Sequence, residues 1–207
     1  MHAMFRRVAA ALALFFVAGS VVLMGAGERD ATDTPLAIQA VPTLLDGAEP
    51  ERVELGDLRY VGGWTLTSND PDFGGISAMA RVDDGFVAIG DAGGVFRFAL
   101  DETGQITRAD IREVPAGPIP ENGGPVLKRD RDAEAMAYDP ETGRFWVAFE
   151  QANGFWRYDL DFAESDSDHA PDAMDDWPNN GGPEAIVRFD DGRFLVFSEA
   201  GNGPGSS

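Results

Sequence analysis

The chain has 207 residues, with 16 Lys and Arg against 36 Asp and Glu for a formal net charge of −20, two His, no Cys, 25 Gly and 13 Pro. A disulfide framework, a thiolate metal site and a cysteine nucleophile are therefore excluded, and so acidic a chain repels the phosphates of nucleic acid and of anionic membranes. The single lysine, Lys128, follows Val126-Leu127 rather than a Gly-rich turn, which excludes a Walker-type phosphate loop.

The first 27 residues differ in kind from the rest. Arg6 and Arg7 precede an almost unbroken apolar run from Val8 to Met24, then Gly25-Ala26-Gly27, and no acidic residue occurs before Glu28. This reads as a secretory signal, with an uncleaved N-terminal anchor as the alternative and the only route to a membrane. Export to the periplasm or outside is the expectation. Residues 28–55, rich in Asp, Glu, Thr and Pro without periodicity, read as a flexible acidic tether. Folded structure is expected over 56–207.

From Gly56 onward the chain repeats itself. GISAMARVDDGFVAIGD (75–91), AEAMAYDPETGRFWVAFE (133–150) and PEAIVRFDDGRFLVFSE (183–199) can be laid over one another, each as strand, tight turn, strand. Gly85, Gly143 and Gly192 follow Asp-Asp, Glu-Thr and Asp-Asp, contexts that suit hairpin turns with positive φ. A third strand follows at Gly94–Leu100 and at Gly154–Leu160, and a fourth is expected over Gln105–Val114. Repeats of about 50 residues built from four antiparallel strands, with no amphipathic helix, predict an all-β fold of propeller blades. Because closed rings need about four to eight blades and this stretch suffices for about three, an incomplete propeller, the N-terminal part of a longer protein, is expected. The strand within Gly56–Ser68 would then serve the last blade and seal the ring. The run Glu164–Asp176, with six acidic residues and no basic one, reads as a solvated loop.

Candidate chemistry comes from equivalent positions in the repeats. The first strands open on Ser77, Glu134 and Glu184, and the second strands end on Asp91, Glu150 and Glu199. Innermost propeller strands run along the channel, so matching ends should meet at one channel mouth. In RDRDAE the alternation of Asp130, Asp132 and Glu134 would put three carboxylates on one face of a strand. Such crowding is unfavourable without a cation or basic side chain, and hard oxygen donors without His or Cys suit calcium, or magnesium with waters. Asp70 and Asp72 in NDPDFGG fit a metal loop or an ordinary turn equally. No Gly-x-Ser-x-Gly elbow or His-Glu-x-x-His is present, and His169 is the only histidine beyond the signal segment. Trp146 and Trp156 lie in strands and are expected to pack between blades.

FGGISAM at Phe73, DAEAMA at Asp132, a strand ending in Phe149-Glu150 followed by FWRY, and NNGGPEAI at Asn179 together resemble the bacterial phytase-like propeller family, described as having esterase-like activity. The resemblance spans about Leu58 to Glu199. It implies an exported β-propeller that hydrolyses a small-molecule ester or phosphoester with a metal; a monomer with a channel-bound divalent cation, calcium by its oxygen donors, is the expectation. Carried over residue by residue, it implies Glu134 and Glu150 as catalytic groups, Asp91, Asp132, Glu184 and Glu199 as metal ligands, and Ser77 as a substrate contact. The chain departs from the family pattern at Gly90-Asp91-Ala92-Gly93 and after Glu150, where basic residues are expected. Lys128, Arg129 and Arg131 are the remaining candidates for an anionic substrate group. A non-catalytic secreted propeller that binds a ligand at its channel mouth is the alternative from another class.

Overall fold

The computed structural model describes residues 34–83, 85–115, 117–118 and 127–200; the expected signal segment and the terminal GNGPGSS lie outside them. Among the described residues no helix is long and apolar enough to cross a membrane.

The fold is all-β and built of propeller-type antiparallel blades. Strands β1 (Thr34–Pro35), β2 (Ile38–Pro42), β3 (Glu54–Leu55), β4 (Leu58–Arg59) and β5 (Trp64–Ser68) precede the repeats. The first blade comprises β6 (Ile76–Val82), β7 (Gly85–Gly90), β8 (Gly94–Leu100) and β9 (Ile106–Glu113), each antiparallel to the next, with β1 added outside β9. The second comprises β10 (Ala133–Asp139), β11 (Arg144–Phe149), β12 (Gly154–Tyr158) and β13 (Ser165–His169). A third hairpin follows, β14 (Pro183–Arg188) and β15 (Phe194–Ser198).

Three readings of the sequence change here. Within the acidic run read as loop, Ser165–His169 is the outer strand of the second blade, paired with Phe155–Tyr158. Asp166 explains how so acidic a segment is held: it accepts from Arg157 Nε at 2.6 Å and faces Arg144 Nε at 3.1 Å. In the hairpin turns, Gly143 and Gly192 have the expected positive φ (64° and 84°), but in the first turn Asp83 takes it (39°). Gly85 is a strand residue instead, where a β-carbon would lie 2.8 Å from the Phe98 carbonyl oxygen. Within the stretch read as tether, β1 pairs with β9 and β2 pairs with β5, so the N-terminal strands back onto the first blade.

Period-2 alternation sorts each strand between two cores. On β7, Val87 and Ile89 join Phe145, Val147 and Phe149 of β11, Tyr158 and Phe162 in the core between the two blades. The intervening Ala88 turns the other way, joining Phe96, Phe98, Ile111 and Leu36. On β11 the intervening Ala148, with Trp146, meets Ile186 and Val196 of the third hairpin. Trp146 packs edge-on to Phe194 of the third hairpin, and Trp156, edge-on to Phe149 of its own blade, borders the core shared with the first blade, as expected for tryptophans between blades. At the turn end of the second blade the buried Asp139 meets Arg188 Nη2 of the third hairpin at 3.1 Å. The innermost strand β10 runs between β6 and β14, with small residues Ala133, Ala135 and Ala137 facing inward on the blade packing. That adjacency brings the equivalent strand ends of all three repeats together.

Candidate functional site

Each repeat carries the same irregularity at the same place. Pairing of β6 with β7 steps from Ile76↔Gly90 to Ala78↔Ile89, of β10 with β11 from Ala133↔Phe149 to Ala135↔Ala148, and of β14 with β15 from Pro183↔Ser198 to Ala185↔Phe197. Ser77, Glu134 and Glu184 are the extra residues of these three β-bulges, devices that re-aim a side chain at a sheet edge. Each hairpin is closed beyond its bulge by one backbone bond: the N–H groups of Asp91, Glu150 and Glu199 donate to the carbonyls of Gly75, Asp132 and Gly182, at 2.8, 2.9 and 3.2 Å. The six equivalent positions singled out in the sequence are thus the three bulge residues and the three N–H donors of these closing bonds.

Five carboxylates converge. Asp132, Glu134 and Glu150 offer oxygen atoms within 4.8 Å of one another, as do Glu150, Glu184 and Glu199. Glu150 belongs to both groups and is 5% exposed. Its Oε1 accepts the Gly181 N–H at 2.6 Å, a short bond that fixes the orientation of the carboxylate.

Burial first, then Asp132, Glu184, Glu150 and Asp91, push the Glu134 carboxyl up to about 7. Burial, then Glu150 and Asp91, push Asp132 up to about 6, against the pull of Lys128. Glu184 is raised by burial and by Glu199 and Glu150. Groups this close titrate together, and the raised Asp132, Glu134 and Glu184 carboxyls are the response of crowded negative charge to burial without an offsetting cation.

The other candidates sit differently. Asp91 pairs with Lys128 Nζ at 2.9 Å rather than joining either carboxylate group, and this bond to Asp91 raises the lysine's affinity for its proton. The expected strand ladder Asp130-Asp132-Glu134 does not form, because Lys128–Arg131 is a turn of 3-10 helix. Asp130 is turned back to accept the Leu127 N–H at 2.6 Å, leaving Asp132 and Glu134 to converge across the bulge. Arg129 is exposed and 3.9 Å from Asp130. Arg131 points inward: a β-carbon on Gly117 would meet its guanidinium beside Phe149 and Tyr158, and its Nε and Nη1 are buried without hydrogen-bond partners. Ser77 Oγ donates to the Gly75 carbonyl at 3.3 Å. Asp70 forms an ordinary turn, accepting the Asp72 N–H at 3.0 Å. His169 lies on β13, three strands out from β10.

The family model described as "Phytase-like: Esterase-like activity of phytase" matches residues 71–204. The chain belongs to the phytase-like family. Every candidate of this phytase-like site, from Ser77 to Glu199, falls inside the matched span. Among solved structures, the chain is similar to a Bacteroides fragilis protein provisionally described as exported, at 9% identity and TM-score 0.38 over 63% of this chain and 31% of that one. It is also similar to the Pan2 WD40 domain of Neurospora crassa, at 13% identity and TM-score 0.32 over 82% of this chain and 51% of that one. The phytase-like chain therefore spans about a third and about half of these two structures. No curated protein matches it in sequence.

Sequence reasoning reached the acidic side chains but missed what holds them. The Gly181 N–H that binds Glu150 comes from the NNGG segment, whose only visible signal was two glycines ahead of Pro183.

Proposed function

We propose that the chain is an exported hydrolase of an ester or phosphoester that works with a divalent cation, calcium fitting best, at the five-carboxylate cluster. The observation that carries this reading is the convergence of Asp132, Glu134, Glu150, Glu184 and Glu199, with Glu150 buried and common to both carboxylate groups. An all-oxygen, anionic donor set suits a hard cation, and the elevated protonation of Asp132 and Glu134 is what such a set does when no cation offsets its charge. Asp132, Glu150, Glu184 and Glu199 would hold the ion. When bound, it would polarise the ester or phosphoryl oxygen and acidify a water. Glu134, left out of that donor set yet grouped with Asp132 and Glu150, would be the carboxylate placed to accept that proton, its own carboxyl falling from about 7 once the ion's charge offsets its neighbours. Glu150, fixed by the Gly181 N–H, is better suited to holding the ion than to acting as a base. The Arg6-Arg7 start and the apolar run after it support export, where calcium is abundant.

The test is hydrolysis of p-nitrophenyl acetate and p-nitrophenyl phosphate with calcium and then with a chelator, for the natural chain and for Glu134→Gln. Calcium-dependent turnover of either substrate, reduced about 10²–10⁴-fold in the variant, is expected. A second reading, a non-catalytic binding propeller, is favoured by the pairing of Lys128 with Asp91 and the inward turn of Arg131, which leave few cations for an anionic substrate. Calcium binding by a folded chain that turns over neither substrate would select it.

A further inference from the structure

The turn that follows Glu150 and the loop that returns to β14 clasp each other through one side chain. Asn153 sits in the left-handed region at φ 44°, which Asn tolerates better than most residues. Its N–H donates to the Glu150 carbonyl at 3.0 Å, so its place in space is tied to that of the carboxylate. Its Nδ2 donates to the Trp177 carbonyl at 3.0 Å. Its Oδ1 packs against Gly182, where a β-carbon would lie 2.5 Å away, and this oxygen is buried with no hydrogen-bond partner. Asn153 therefore touches both ends of the segment 177–182, the segment whose Gly181 N–H binds Glu150 Oε1. From the other side, Ser198 Oγ donates to the Gly181 carbonyl at 2.6 Å and the Glu199 N–H to that of Gly182 at 3.2 Å.

We infer that Asn153 is a positioning residue of the carboxylate cluster: by clasping the 177–182 segment it sets the Gly181 N–H on Glu150, and so sets the carboxylate common to both groups. This inference rests on the proposed cation site and assigns it a determinant outside the acidic residues. The side chain has no charge and touches neither Asp132 nor Glu134 in any hydrogen bond, so its influence runs through Glu150. Removing it frees one end of the segment while β14, β15 and their core contacts stay in place.

The test is calcium affinity by isothermal titration calorimetry on the full chain, with thermal unfolding in chelator as the control for folding. Asn153→Gly keeps the left-handed backbone and deletes the amide. Asn153→Asp keeps the shape but sets a carboxylate oxygen against the Trp177 carbonyl. Both variants are expected to bind calcium about tenfold more weakly, the worth of about one hydrogen bond. The double variant Glu150→Gln with Asn153→Gly is expected to bind no more weakly than Glu150→Gln alone, because the two residues act in series. Natural calcium affinity in both Asn153 variants, or a loss additive with that of Glu150→Gln, would overturn the inference while leaving the cation site standing. Failure of the unsubstituted, folded chain to bind calcium would instead overturn the cation site, and the inference with it.

Discussion

Replacing Glu134 by Gln should make the cation-free protein more stable at alkaline pH, although it removes the proposed base. The Glu134 carboxyl is raised from 4.5 to about 7 by burial and by four neighbouring carboxylates. A shift of that size corresponds to a ceiling of ~3 kcal/mol at about 1.4 kcal/mol per pH unit. The side chain is only half-buried, and solvent screening reduces the expected value to ~1–2 kcal/mol. The sign follows from linkage: the folded state binds this proton more tightly than the unfolded state. The penalty is therefore absent below about 4.5, grows as pH rises towards 7, and is constant above that. In urea unfolding followed by tryptophan fluorescence in chelator, Glu134→Gln should exceed the natural chain by ~1–2 kcal/mol at pH 8 and match it at pH 4. Equal stability of the two proteins at pH 8, or a less stable variant there, would refute the electrostatic reading of the cluster.

Calcium uptake should displace the protons that the cluster holds. At pH 6, where Glu134 is mostly protonated and Asp132 about half so, titration calorimetry in buffers of different ionisation enthalpy should show release of about one proton per ion, and at pH 9 none. In the core between the blades, Phe145 is fully buried and stacks on Tyr138, with Phe162 tilted against it. Phe145→Ala should therefore lower unfolding stability by ~3–5 kcal/mol, measurable as a fall in the denaturant midpoint.

The blade hairpins were legible because their determinants are local. Alternating apolar residues and turn chemistry at Gly143 and Gly192 specify strand, turn and strand within about 18 residues, whatever packs around them. Ser165–His169 was illegible for the opposite reason: a segment of Ser, Asp and His has little strand propensity, and its pairing depends on Arg144 and Arg157 reaching Asp166. Repetition identified four of the five convergent carboxylates, because equivalent ends of adjacent innermost strands meet, while Asp132 was visible only in RDRDAE. The bulges at Ser77, Glu134 and Glu184 are a matter of register, which depends on partner strands and leaves no mark in composition. RDRDAE misled because alternation implies a strand only where the backbone is extended. Asp130 instead caps the Leu127 N–H and closes a 3-10 turn. The Lys128–Asp91 pair links residues 37 apart in sequence and is a product of blade packing alone.

The bulge at the start of each innermost strand separates what holds the fold from what lies at the rim where the strand ends meet. Ser77 and Glu134 occupy the same socket in successive blades, one with a hydroxyl and the other with a carboxylate, and the hairpin ladders beyond them run on in the same register. Chemistry at this rim can therefore be rewritten one socket at a time without re-pairing a strand. A chain that holds Ser in one socket and Glu in two can gain or lose a carboxylate by a single substitution, and duplicated blades become a row of separately adjustable side chains.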